Sequence, residues 1–241
     1  MRIACISTGA MDNDEAGFGS SIMVREPGAA ERRSMRRFIR ATVASVALLP
    51  LGAPPALAVE VSPAIAQMYS AVSAAPPTSE NMIVCYAFSC QRRVVLDFTA
   101  ADRNKLTDIM AAGRASPEAE RKALQQAVIW FDRRVGPIIG TDKRVARADF
   151  RNFADGQNFD CFDTTRNTVS LLLVLQEWSL LRHHRIGDPR YRGNILLGQL
   201  PHNTAVLIER TNGRDWVLDM WTRGYAELPD VMPVEAWLKL D

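Results

Sequence analysis

Cys161 lies in the segment NFDCFDTTRNT, residues 158–168, immediately ahead of the apolar run SLLLVL. A thiolate is the reactive form of cysteine, and a helix N-terminus favours it through unpaired N–H groups and the helix dipole. Further along, His202 opens the strand-like HNTAVLIER and Asp219 lies in WVLDMW. An imidazole can take a thiol proton, and a carboxylate can orient that imidazole. Cys161, His202 and Asp219 therefore form a workable nucleophile, base and orienter. A cysteine ahead of an apolar helix is also a small buried hydrophobe in many folds. The assignment depends on the other two residues reaching it.

His202 and Asp219 are 17 residues apart. An odd separation places both on one face of an antiparallel hairpin. A strict two-residue turn at Asn212-Gly213 would pair Asp219 with Val206 and leave His202 four positions further on, ~13 Å by strand rise. A bulge or a longer loop is therefore expected to shift the register. His183 and His184 are the only other histidines. They fall at the far end of the apolar helix, ~30 Å from the thiol by helical rise, and are poor partners for it. Two adjacent histidines and one distant one also fail to match a zinc spacing, and no glycine-rich phosphate loop of the usual pattern is present in residues 59–241.

The elements that must hold these residues read as follows. Residues 59–80 are expected to form a short helix and an exposed lead-in, with SAAPPTSE at 73–80. Met82–Phe88 and Arg92–Phe98 read as a hairpin. Thr99-Ala-Ala-Asp102 opens a helix to about Ala112, and Ser116-Pro117 opens another. In the latter, Leu124, Ala127, Val128, Phe131 and Val135 share one face, and Gly136-Pro137 is expected to end it. From Thr164 to about Leu181 the chain is apolar on nearly every side, which marks a buried central helix. Residues 182–201 read as a long loop that holds at most a short strand. The two late strands form a hairpin, and Glu235–Leu240 closes with a helical turn. Helices first and strands later imply an α+β fold with an antiparallel sheet.

The chain has 241 residues and is 47% hydrophobic, enough for one domain with a sizeable core. Residues 35–58, MRRFIRATVASVALLPLGAPPALA, have the order of a secretory signal peptide. Arginines come first, then an apolar stretch too short to span a bilayer, then Ala56-Leu57-Ala58 as the cleavage signal. Translation is then expected to start at Met35, with residues 1–34 a gene-model extension or a disordered segment. Residues 59–241 carry equal numbers of basic and acidic residues. That implies no nucleic-acid surface, and no later stretch is apolar enough to cross a membrane. A periplasmic or secreted location follows. In that compartment Cys85 and Cys90 of CYAFSC can form a disulfide, although two buried free thiols fit the sequence as well. Cys161 is left as an unpaired, potentially reactive thiol.

FDCFDTTRNT heading a buried helix, PHNTAVLI some forty residues later and WVLDMW beyond a hairpin together resemble the bacterial transglutaminase-like cysteine proteinases. The resemblance covers roughly residues 80–240 and assigns a catalytic domain to 81–241. It implies a papain/transglutaminase-like fold whose central helix carries the nucleophile at its N-terminus against an antiparallel sheet. It also implies a Cys161–His202–Asp219 triad acting on a protein or peptide substrate. Asp160 matches an acidic residue that often precedes the family cysteine. An acid that follows the cysteine in better-known members, and takes part in calcium binding there, is Phe162 here, with Asp163 one place on. Asp160 is thus only a weak calcium candidate, and no cofactor is expected. The glycine often found two places before the cysteine is Phe159. The Cys161 backbone N–H would form part of an oxyanion site, with Asn158 or Gln157 as candidates for the second donor. The expected activity is hydrolysis of a peptide or amide bond. Acyl transfer to an amine, and a non-catalytic peptide-binding module, are the alternatives.

Overall fold

A computed structural model describes residues 61–194, 196 and 198–240. The signal-like segment 35–58 and residues 1–34 lie outside the described residues.

The fold is α+β with two antiparallel sheets. Helix α1 (Pro63–Ser70) begins at the Ser62 cap with proline in its first turn. Strands β1 (Met82–Tyr86) and β2 (Arg92–Leu96) make a two-stranded hairpin. Helix α2 (Ala100–Ala111) starts at the Thr99/Asp102 capping box. Helix α3 (Pro117–Ile139) starts at Ser116, and α4 spans Cys161–Glu177. The second sheet runs in order β3 (His184–Arg192), β4 (His202–Glu209), β5 (Asp215–Asp219), β6 (Asp230–Pro233), and α5 (Val234–Trp237) follows.

Helix α4 is the centre. Every residue from Asp163 to Leu175 is buried, because α4 is packed against β4 on one side and β1 on another. Its polar side chains stay buried because each finds a partner. The Asn167 amide pairs with both backbone groups of Cys85, at 2.9 and 2.8 Å, and so ties α4 to the hairpin. Thr165 Oγ1 donates to the Asn203 carbonyl at 3.0 Å and ties the first turns of α4 to the start of β4. Ser170 Oγ and Tyr69 Oη lie 2.8 Å apart, which brings α1 onto the same helix.

Several boundaries differ from the sequence expectation. Residues 59–80 are less of a lead-in than their composition suggests, since Ile65 and Tyr69 of α1 are in the core. Gly136-Pro137 does not end α3. The helix absorbs Pro137 and stops at Gly140, whose left-handed backbone (φ 74°) returns its N–H to the Gly136 carbonyl. The supposed loop 182–201 contains the nine-residue strand β3. Pro189 sits in the register shift between Gly187 and Arg190, where its missing N–H breaks no ladder bond.

Candidate active site

Cys161 is the first residue of α4, and Asp160 is its N-cap, accepting from the Asp163 N–H at 2.7 Å. The thiol lies against the start of β4. Its Sγ is 4.0 Å from the Pro201 carbonyl oxygen, and it receives a hydrogen bond from the Asn203 backbone N–H. The two main-chain groups that flank His202 therefore both face the sulfur.

The register shift required by the sequence is present. The β4–β5 connection is the four-residue loop Arg210–Gly213, closed by the Glu209 N–H to the Arg214 carbonyl at 2.9 Å. Val206 pairs with Val217 and Ala205 with Leu218. One step further sets Asp219 beside Thr204, two residues from His202 on the same face. His202 bridges that diagonal, with its Nε2 2.7 Å from Asp219 Oδ2. Asp219 accepts from three donors. Oδ2 also accepts Trp237 Nε1 at 2.8 Å, and Oδ1 accepts the Trp221 N–H at 3.2 Å.

The ring of His202 is held between two indoles. Its centroid is 4.3 Å from that of Trp221 and 5.3 Å from that of Trp237. An ionised Asp219 fixes the ring proton on Nε2 and leaves Nδ1 as the basic nitrogen. That Nδ1 is buried and has no hydrogen-bond partner among the described residues. A buried ring nitrogen without a partner is costly.

The electrostatics depart from the simple helix-terminus argument. Burial pushes the Cys161 thiol up to about 12. The Asn203 N–H opposes that rise, the charges of Asp160 and Asp219 add to it, and the backbone N–H of Cys161 itself lowers it. Desolvation therefore outweighs the helix N-terminus, and the resting group is a thiol.

The acids beside it are held by main-chain donors. Ala87, Phe88, Ser89 and Cys90, at the tip of the β1–β2 hairpin, all have left-handed backbones, with φ of 62°, 66°, 51° and 62°. The Cys85–Cys90 disulfide closes this turn. Its N–H groups converge on the two carboxylates. Phe88 and Cys90 donate to Asp163 at 2.9 and 2.7 Å, and Ser89 donates to Asp160 at 2.7 Å. Successive N–H groups in such a turn form an anion-binding hollow. Both oxygens of Asp160 are thereby aimed at N–H donors, the opposite polarity from a cation. Burial, with the Asp160 charge adding to it, pushes the Asp163 carboxyl up to about 7. Among the described residues, no group of three or more His, Cys, Asp or Glu is arranged to hold a metal.

The two candidates for a second oxyanion donor lie in the loop before α4. Asn158 is engaged within its own loop: its Oδ1 accepts the Val145 N–H at 2.9 Å and its Nδ2 donates to Asp155 at 2.9 Å. It braces the loop below the site. Gln157 is exposed, with its backbone turned onto Asp155 Oδ1 at 3.1 Å. The other two histidines are structural, at the opposite end of α4. His184 is fully buried, with Nδ1 2.9 Å from Glu120 and Nε2 3.2 Å from Arg121. Glu120 also accepts the backbone N–H groups of Arg182, His183 and His184.

Trp221 and Trp237 are the residues that sequence reasoning missed. Trp221 had a signal, two places after Asp219 in WVLDMW, whereas Trp237 reaches the site from α5 with none. A cavity of about 330 Å³ opens beside them, with His202, Trp221, Arg147, Arg151 and Arg192 in its lining.

No protein-family profile, curated protein or solved structure matches this chain. Among the described residues no helix is long and apolar enough to cross a membrane.

Proposed function

We propose that this chain is an exported thiol hydrolase with a papain/transglutaminase-like core, cleaving a peptide or amide bond through a Cys161 acyl-enzyme. One observation carries the reading. His202 is anchored through Nε2 on Asp219, its Nδ1 is buried without a partner, and the backbone on either side of it touches the Cys161 thiol. That is the arrangement a base needs. The thiol is too basic to shed its proton to water near neutrality, so the proton passes to His202 Nδ1 as sulfur attacks the carbonyl carbon. Asp219 stabilises the resulting imidazolium. The imidazolium returns the proton to the leaving amine as the C–N bond breaks. Water, deprotonated by the same nitrogen, then splits the thioester and restores the thiol. The Cys85–Cys90 disulfide fits an oxidising compartment, periplasmic or extracellular.

A second reading has its own support. The upward push on Cys161 also suits a non-catalytic module that keeps the groove for peptide binding. Iodoacetamide labelling of the folded protein near neutral pH separates the two. Selective modification of Cys161, slowed by His202→Ala, agrees with the hydrolase. An inert Cys161 in a protein that unfolds cooperatively would refute it.

A further inference from the structure

The cavity beside His202 is unusual in what lines it. Three guanidinium groups, those of Arg147, Arg151 and Arg192, share it with one carboxylate, Asp149. Arg151 already satisfies that carboxylate. Its Nε and Nη2 straddle Asp149 at 2.9, 3.1 and 2.6 Å. Arg192 stands on the far wall, 4.6 Å over the Trp237 ring, and donates to the Leu240 carbonyl. Arg147 is different. Its guanidinium has no hydrogen bond or ion pair among the described residues, yet its backbone is held in place. The Arg147 N–H donates to the Trp221 carbonyl at 2.8 Å, and the Trp221 indole N–H donates to the Ala148 carbonyl at 2.8 Å. Trp221 is the same residue that packs on His202. The chain thus clips one uncommitted arginine to the indole that holds the candidate base. Gly193 closes the cavity from the β3 side. A Cβ there would fall 2.2 Å from the Leu200 carbonyl oxygen, so only glycine lets this wall approach the turn before His202.

We propose that this cavity is a specificity pocket for an acidic side chain, Asp or Glu, of the peptide substrate, with Arg147 as its principal ligand. The inference rests on the thiol-hydrolase reading and adds the substrate class to it. A guanidinium offers a planar donor pair that matches a carboxylate in two parallel hydrogen bonds. An acidic side chain seated there would anchor the substrate beside His202, next to the bond under attack. The neutral isostere glutamine would place an amide N–H₂ against the same donors and lose the charge-assisted contact.

The test uses capped tripeptide chloromethyl ketones that differ only in glutamate or glutamine. The variable residue is placed at the position bearing the electrophile or at the one before it. The Cys161 sulfur displaces chloride, and mass spectrometry of the Cys161 peptide gives the rate. The readout is the ratio of glutamate to glutamine rates, not either rate alone. A ratio of roughly tenfold at low salt is expected at one of the two positions, the value of one good contact. It should fall towards one in Arg147→Gln and invert in Arg147→Glu, while Arg133→Gln, in a separate groove between α2 and α3, leaves it unchanged. Modification of Cys161 at equal rates by both probes overturns the pocket and leaves the hydrolase standing. So does a glutamate preference that persists in both Arg147→Gln and Arg151→Gln. Failure of every probe, and of iodoacetamide, to modify Cys161 in the folded protein overturns both.

Discussion

Asp219 acts on the thiol in two opposed ways, and replacing it with asparagine should expose both. Its charge, along with that of Asp160, raises the Cys161 pKa by repelling a thiolate. The same charge stabilises a protonated His202, with which it is in direct contact at 2.7 Å. Taking charge centres ~4 Å apart and an effective dielectric of ~20, the attraction to an imidazolium is ~4 kcal/mol. The repulsion on the thiol ranks below burial and the Asn203 N–H among the influences on Cys161 and is taken as the smaller effect. If His202 takes the Cys161 proton as proposed, Asp219→Asn should slow iodoacetamide labelling of Cys161 near pH 7 by ~10²–10³-fold, at 1.36 kcal/mol per tenfold. At alkaline pH the thiolate forms without help from His202. The repulsion then dominates, and the variant should match or overtake the wild type. The pH–rate curves must therefore cross. Stability should fall too, because the asparagine N–H₂ must face either the Trp237 and His202 donors or the Trp221 N–H. An unmet buried donor costs ~1–3 kcal/mol, which a thermal melt reads as a fall of several degrees. The reasoning is refuted by a labelling rate at pH 7 within twofold of wild type. It is refuted equally by curves that stay parallel across the pH range, which would mean that Asp219 only shapes the site.

Three further outcomes follow from named contacts. Cys85→Ser with Cys90→Ser should lower unfolding stability by ~2 kcal/mol from the loss of a short closed loop; urea titration with and without reductant measures it, and only the wild type should respond to reductant. Glu120→Gln removes the carboxylate that gathers the backbone N–H groups of Arg182, His183 and His184; it should cost ~2–3 kcal/mol in denaturant unfolding and leave the rate of Cys161 labelling unchanged. The Asp163 carboxyl, pushed from its ordinary 3.8 up to about 7, makes the folded chain bind more protons than the unfolded one between those values. Its contribution to stability is full below the lower value and is lost as pH rises through the upper one; Asp163→Asn, compared with wild type in urea titrations at pH 5 and pH 8, should remove that pH-dependent loss.

The parts of the fold visible in the sequence are those set by local chemistry. Ser116-Pro117 and the Thr99/Asp102 box start their helices where expected, because caps satisfy backbone donors within three residues. The apolar run after Cys161 gave the central helix for a similar reason. The shift between β4 and β5 was required by the geometry of His202 and Asp219, although its agent, the four-residue loop, was not visible in Asn212-Gly213 alone. What escaped was set by distant partners. β3 is legible only through its pairing with β4, since HRIGDPRYR has neither alternation nor β-branched content enough to declare a strand. The bracing of the loop by Asn158, through Val145 and Asp155, is likewise not declared by its place in the sequence. The helix-terminus argument for an acidified thiol was sound locally and was reversed by burial, which depends on everything packed around it.

The left-handed turn at residues 87–90 grips Asp160 and Asp163 through main-chain N–H groups, not side chains. An alanine scan would therefore pass over Ser89, and at Phe88 it would report the loss of a buried ring and not this support. Scanning with glycine and proline would find it. Glycine adopts that backbone without the ~1–2 kcal/mol penalty that other residues incur, so the exposed Ser89 should tolerate it or gain from it, whereas glycine at Phe88 would also remove a ring buried beside Phe153. Proline at Phe88 or Ser89 would delete a donor and forbid the positive φ together. The cap beside Cys161 is thus controlled by a segment more than 70 positions earlier in the chain, through atoms that every amino acid except proline supplies.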